Sequence, residues 1–189
     1  MKKVFLLLVG ALLCSALWAQ GPHHVNVYLG GYNGEYLAAR IDADASDLYN
    51  LYEPHYKYEC GPTFTVEYTY SLLSWLQVGA QTNVGEVSVT PWRNLDGYKA
   101  EPKQTKVGVS LLPEAKLCIP SPRHFRLYGK VAAGMTVNFG QYTKWSPVQF
   151  AWDLVPIGCE WAGQRVYGTA ELCYGSIIRG GRIGIGFRF

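Results

Sequence analysis

Charge is scarce in this 189-residue chain: Asp, Glu, Lys and Arg make up 16% of it, against about 25% in a typical soluble domain. No run of Lys or Arg is present to track phosphates, which excludes a nucleic-acid binder of the usual kind. No apolar run beyond Ala19 approaches the length of a membrane-spanning helix, so no transmembrane helix is expected. Helical periodicity is nearly absent as well. Histidine is limited to His23, His24, His55 and His124, which leaves little material for metal or acid–base sites. What is abundant is apolar and small: 49% apolar residues, 14% aromatics and 21 Gly, with a net charge of only +3. That balance excludes a disordered chain.

The N-terminus accounts for part of the apolar excess. Lys2 and Lys3 precede a greasy stretch from Val4 to Leu13, broken only by Gly10, and Ala19 offers a small residue shortly after. This is the layout of a secretory signal peptide over residues 1–19, cleaved after Ala19. A lipoprotein reading through Cys14 is disfavoured by the bulky Leu13 before it. Loss of the two signal lysines brings the exported domain, residues 20–189, to near neutrality.

The remainder alternates. From Phe125 to Phe139, odd positions are Phe, Leu, Gly, Val, Ala, Met, Val and Phe; even positions are Arg126, Tyr128, Lys130, Ala132, Gly134, Thr136 and Asn138. Successive strand residues point to opposite faces, so one face is apolar and the other polar or small. Eight such strands are predicted: 23–32, 60–71, 74–88, 104–118, 124–139, 148–161, 164–176 and 179–189. The phase slips within 148–161, where Pro156 cannot donate to a ladder, and a bulge there would absorb it. Connections alternate between long and short, except near Ser176–Ile178, where the rule asks for a long one and the gap is short.

Alternation alone does not say which face is inside. A soluble barrel buries the apolar face, whereas a membrane barrel turns it to lipid around a polar lumen. Three features favour the membrane. The strands exceed the 9–11 or so residues that cross a bilayer at a tilt. Polar-face positions are often small (Gly108, Ala132, Gly134, Gly184, Gly186), as a narrow lumen requires. Aromatics gather at strand ends, Trp75 and Trp161 at one, and Tyr32, Trp92, Tyr142, Trp145 and Trp152 toward the other, as interfacial girdles do. The expected fold is an all-β, eight-stranded antiparallel up-and-down transmembrane barrel.

A leading signal, eight alternating strands, alternating connection lengths and the final Gly186-Phe187-Arg188-Phe189 resemble the small outer-membrane β-barrel proteins of Gram-negative bacteria. The likeness is to the outer-membrane protein A transmembrane domain, without the periplasmic peptidoglycan-binding domain of its full-length relatives. It covers residues 23–189. It implies an outer-membrane location with both chain ends in the periplasm, contact with bilayer lipid and lipopolysaccharide, transient handling by the outer-membrane assembly machinery, and a monomer. It implies no particular activity.

The luminal face should carry Lys106, Lys116, Arg126, Lys130, Arg182 and Arg188 against Glu67, Glu114 and Glu171, with Asp153 and Glu160 as further candidates. In a low-dielectric lumen such charges should pair into a plug; the competing reading is a narrow channel or carrier for small solutes, and a third is a soluble secreted ligand-binding barrel. No catalytic residues are assigned: none of the four histidines has a Ser two positions on, the local pattern of lipid hydrolases on this fold. No metal or cofactor site is expected either, since no Cys/His set has ligand spacing. Cys60, Cys118, Cys159 and Cys173 are expected mostly as free thiols. The Tyr- and Asp-rich stretch 33–59 is read as a loop capping the mouth, with a short helix near Ala43–Tyr49, or as the contact for a surface ligand. Ile183, Ile185, Phe187 and Phe189 form an outward apolar row read as a C-terminal assembly signal, on a strand that must also close the barrel against the first.

Overall fold

A computed structural model describes residues 23–33, 55–92, 104–119, 125–140, 147–161, 163 and 165–189. Among these there is no helix. Nine strands form one sheet: β1 (His23–Asn33), β2 (His55–Cys60), β3 (Thr63–Ser71), β4 (Leu76–Trp92), β5 (Gln104–Ile119), β6 (Phe125–Gly140), β7 (Val148–Trp161), β8 (Val166–Gly175) and β9 (Ile178–Arg188). All pairings are antiparallel, and β1–β9 together with β4–β5 close the sheet on itself.

The barrel has eight staves, because β2 and β3 are one stave interrupted at Gly61-Pro62. Both pair with β4, Cys60 opposite Val87 and Phe64 opposite Val84, a register offset by one residue. Pro62 lacks the N–H a continuous ladder would use. The second strand therefore begins at His55 rather than at residue 60, and Tyr56 and Tyr58 belong to it rather than to the preceding loop. Alternation could not show this, because the break at Gly61-Pro62 disguises the earlier segment as loop. The proposed helix near Ala43–Tyr49 and the signal segment 1–19 lie outside the described residues.

The expected slip in β7 is a bulge. Tyr128 pairs with Gly158 but Lys130 with Val155, and the register with β8 shifts between Leu154 and Ile157. Pro156 and Ile157 both face out, and the slip falls between them; Val155, apolar though it is, keeps the inward phase of Ala151 and Asp153 and is fully buried. Pro113 on β5 is tolerated because its side faces out and the β5–β6 pairing skips Leu112 and Pro113. A second irregularity falls between Gly30 and Tyr32 on β1, where Gly30 and Gly31 take φ of 131° and 74°, values open to glycine at little cost.

Outside and inside are chemically opposite. Met135, Phe150, Ile183, Ile185, Leu111 and Phe139 are all more than half exposed on the outer face. The lumen holds Glu67, Lys116, Lys130, Gln81, Asn26, Thr65 and Arg182, all nearly inaccessible. The lumen is not purely polar: Leu112, Val155 and Ile178 are fully buried within it.

Glycines on the luminal face are paired with rings. Tyr28, Tyr128 and Tyr167 lie opposite Gly184, Gly158 and Gly186 in register. A Cβ at any of these glycines would collide with the facing tyrosine. Of the small residues that suggested a narrow lumen, Gly184 and Gly186 are thus the seats of specific aromatic rings, the cross-strand device that compensates a glycine in a sheet, whereas Gly108 and Gly134 face no ring. Outside, the Trp161 ring covers Gly168 in the same way.

Candidate functional site

The feature with the most chemistry is the luminal charge cluster. Glu67 on β3 is its hub. Its Oε1 accepts from Lys116 Nζ at 2.9 Å and from Asn26 Nδ2 at 2.7 Å, and its Oε2 accepts from Lys130 Nζ at 2.5 Å. Lys130 reaches on to Glu171 Oε1 at 3.1 Å and lies 3.7 Å from Glu114 Oε2. Glu171 is held by Arg182 through both Nε and Nη2, and accepts from the Tyr128 hydroxyl at 2.6 Å. Arg182 Nη2 also lies 3.4 Å from Asp153 Oδ2 and donates to Gln81 Oε1 at 3.2 Å, while Gln81 Nε2 donates to Asp153 at 3.0 Å.

Toward the end where the chain termini meet, Glu160 gathers Lys116 at 3.6 Å, Arg126 at 3.8 Å and Arg188 at 3.2 Å. Arg126 and Arg188 are about 30% exposed, so this is the mouth. Aromatic faces add to the cation sites: Lys116 lies 4.2 Å from the centre of the Tyr128 ring and Arg182 4.7 Å from that of Tyr28. Such contacts gain weight when desolvated. Removing two charges from water costs more than their attraction returns unless nearly every remaining lone pair is used; here five cations and five carboxylates share one network.

The nine charges singled out from sequence thus occupy one face, but not one cluster. Lys106 is buried further up β5, level with Val87 and Gly140 and away from the centre. Glu114 sits at the centre yet makes no hydrogen bond through either carboxyl oxygen. Asp153 and Glu160 are full members. Sequence reasoning passed over the neutral members Asn26, Tyr28, Gln81 and Tyr128. Their signal was present, since each occupies the non-lipid phase of its strand, but a charge count does not detect them.

Above the cluster, the turn Ser176–Ile177 is tied to β7 by Ser176 Oγ, which accepts from Trp152 N at 2.9 Å. Ile177 and Ile178 point into the barrel and are buried. Between this turn and β3–β6 lies a small recess lined by hydroxyl, amide and glycine residues such as Thr63, Asn83, Gly108 and Ser110. That is space for a water or two.

At the opposite end, His23 N donates to Phe189 O and Phe189 N to His23 O, both at 3.0 Å. The two rings stack 5.6 Å apart, and His23 Nδ1 bonds the Tyr68 hydroxyl at 2.7 Å. Ile183 and Ile185 are well exposed, while Phe187 and Phe189 are partly covered. Trp75 and Trp161 are exposed at this same end, and Trp152 packs edge-on against Tyr174 at 5.7 Å toward the other. The Trp92 side chain and Trp145 lie outside the described residues. Among the described residues, Cys118, Cys159 and Cys173 are free thiols.

No protein-family model matches the chain, and no curated protein matches it. Among solved structures it is similar to the Yersinia pestis outer membrane protein Ail, described as a backbone structure in a phospholipid bilayer nanodisc. The identity is 16% over 88% of this chain and 99% of that one, with a TM-score of 0.39. The barrel assignment rests on strand register: eight antiparallel staves, each paired to the next in chain order, with the last paired to the first.

Proposed function

We propose that this chain is an outer-membrane barrel exported by residues 1–19, with a closed lumen and a structural or ligand-binding role at the cell surface, without catalysis. The observation that carries the reading is the inversion of polarity. Arg182, Lys116, Lys130 and Glu67 are at most 2% exposed inside, while Met135, Phe150 and Ile183 are more than 60% exposed outside. In water that arrangement strands apolar surface and buries charge, both unfavourable. In lipid the outer face is solvated by acyl chains, and closure leaves no unpaired edge. Contact with bilayer lipid and lipopolysaccharide, a transient meeting with the assembly machinery, and a monomeric state belong to the same proposal.

Membrane fractionation combined with heat-modifiable gel mobility tests the location. Recovery only in the soluble fraction would favour a secreted barrel and end the membrane reading. A narrow channel draws support from the partly exposed arginines at one mouth and the hydroxyl-lined recess at the other. It requires the Lys130–Glu67 and Arg182–Glu171 contacts to part. Planar-bilayer recordings separate the two: the closed lumen expects no steady conductance, and large, stable openings would favour the channel.

A further inference from the structure

The strand register fixes how the barrel slants. From Cys159 on β7 the paired residues run through Ala170, Leu29, Val84 and Val137, among others, and return to β7 at Val148. Discounting the bulged residue, the stagger is about ten residues, which tilts the strands by about 40° and makes each residue climb about 2.5 Å along the axis.

On that scale the apolar belt has a level lower edge: Ile119, Phe125, Trp161 and Val166 lie within about 4 Å of one height. Its upper edge is not level. On β8, β9 and β1 the last exposed outward residues are Tyr174, Ile183 and Leu29, giving a belt of about 13–20 Å. Arg179 lies above them and stacks on the Tyr174 ring at 5.2 Å, beside Trp152. A cation on an aromatic at the belt's rim is interfacial chemistry. On β6 and β7 the outward row instead runs on through Val137, Phe139, Val148 and Phe150, exposed by 39%, 58%, 51% and 72%. There the belt reaches about 30 Å, against the roughly 25 Å usual for such barrels.

We propose that the barrel holds its bilayer at unequal thickness around the circumference, with acyl chains climbing the β6–β7 face and dipping at β8, β9 and β1. This rests on the membrane reading above. Acyl chains are the fitting occupant because the tall strip continues the belt of Val131 and Met135 without a polar break, and because mismatch of several ångströms is met by bilayer deformation at modest cost. The thin sector contains the β1–β9 pairing that closes the barrel.

The geometry yields an inversion to test. Phe139 lies about 10 Å higher along the axis than Arg179, yet Phe139 should be in lipid and Arg179 in water. In a background with Cys60→Ser and Cys159→Ser, Phe139→Cys, Val148→Cys, Arg179→Cys and the mid-belt control Val131→Cys are each reconstituted in phospholipid vesicles. Reaction with a charged, impermeant maleimide and quenching of attached bimane by acyl-brominated lipid are then measured. Phe139→Cys and Val148→Cys should react about tenfold or more slowly than Arg179→Cys, as expected where water is excluded, and should be quenched. If they react as fast as Arg179→Cys while Val131→Cys stays protected and quenched, the thickness gradient is wrong and the barrel stands. If Val131→Cys is itself reactive and unquenched, the membrane reading falls as well.

Discussion

Replacing Glu67 by Gln is the sharpest perturbation the lumen allows. The substitution keeps shape and one acceptor, so Asn26 Nδ2, at 2.7 Å, retains a partner. What disappears is the charge facing two ammonium groups, Lys116 at 2.9 Å and Lys130 at 2.5 Å. Their remaining partners are unequal. As carboxylate partners, Lys130 keeps Glu171 at 3.1 Å, whereas Lys116 keeps only Glu160 at 3.6 Å, which it shares with Arg126 and Arg188, beside neutral contacts with the retained acceptor of residue 67 and the Tyr128 ring. Stranding one partner of a buried pair costs about 3–5 kcal/mol, and the residual contacts place Glu67→Gln near the lower end, at about 3 kcal/mol. A second change, Lys116→Met, removes the cation left worst served and should recover part of the loss, since an apolar side chain replaces a buried ion at little or no cost. Urea unfolding in vesicles, followed by tryptophan fluorescence and gel mobility, measures both. A loss below about 1 kcal/mol for Glu67→Gln, or no recovery in the double variant, would refute the claim that the cluster is a coupled, desolvated network.

Other outcomes follow from packing. Gly184→Ala drives a Cβ into the Val27 carbonyl and the Tyr28 ring and should cost about 1–3 kcal/mol, whereas Gly180→Ala meets no atom nearby; comparing their unfolding midpoints checks the ring-on-glycine pairing against the backbone strain that Gly180, at φ 108°, carries by itself. Ile178→Ala opens a void above the cluster and should cost about 2–5 kcal/mol, read by the same unfolding assay. Phe187→Ala with Phe189→Ala should lower the amount of assembled, protease-resistant barrel in cells, and normal assembly would remove the case for a terminal signal.

How much of this was legible in the sequence depended on what each residue reports. The period of two over 125–139 is nearly uninterrupted, so both the strand and its two faces could be read directly, and β6 emerges with one residue's shift at each end. Pro156 announced its bulge because a missing N–H is a local fact. Its place is less plain: Val155 keeps the inward phase of Ala151 and Asp153 and the slip follows it at Pro156 and Ile157, whereas hydropathy alone sends a valine to lipid. Leu112 on β5 shows a related limit, since its inward phase is plain but its burial among Ile178 and Val155 depends on staves distant in sequence. The charge cluster was legible as a set of residues on one face, not as a set of partners. Lys106 and Lys116 share a face and a strand, and only the stagger between staves decides that one joins Glu67 and the other does not.

The cluster draws on every stave: Asn26 from β1, Glu67 from β3, Gln81 from β4, Lys116 from β5, Lys130 from β6, Asp153 and Glu160 from β7, Glu171 from β8 and Arg182 from β9. No hairpin or partial sheet can satisfy it. Until the ninth strand meets the first, some lysine or carboxylate lacks its counterpart, and an unpaired charge resists leaving water. An incomplete barrel is therefore penalised twice, by its open backbone edge and by its unbalanced interior. The two penalties vanish in the same step. The lumen thus acts as an all-or-none check on closure, making the folded barrel cooperative across staves that share no backbone hydrogen bonds.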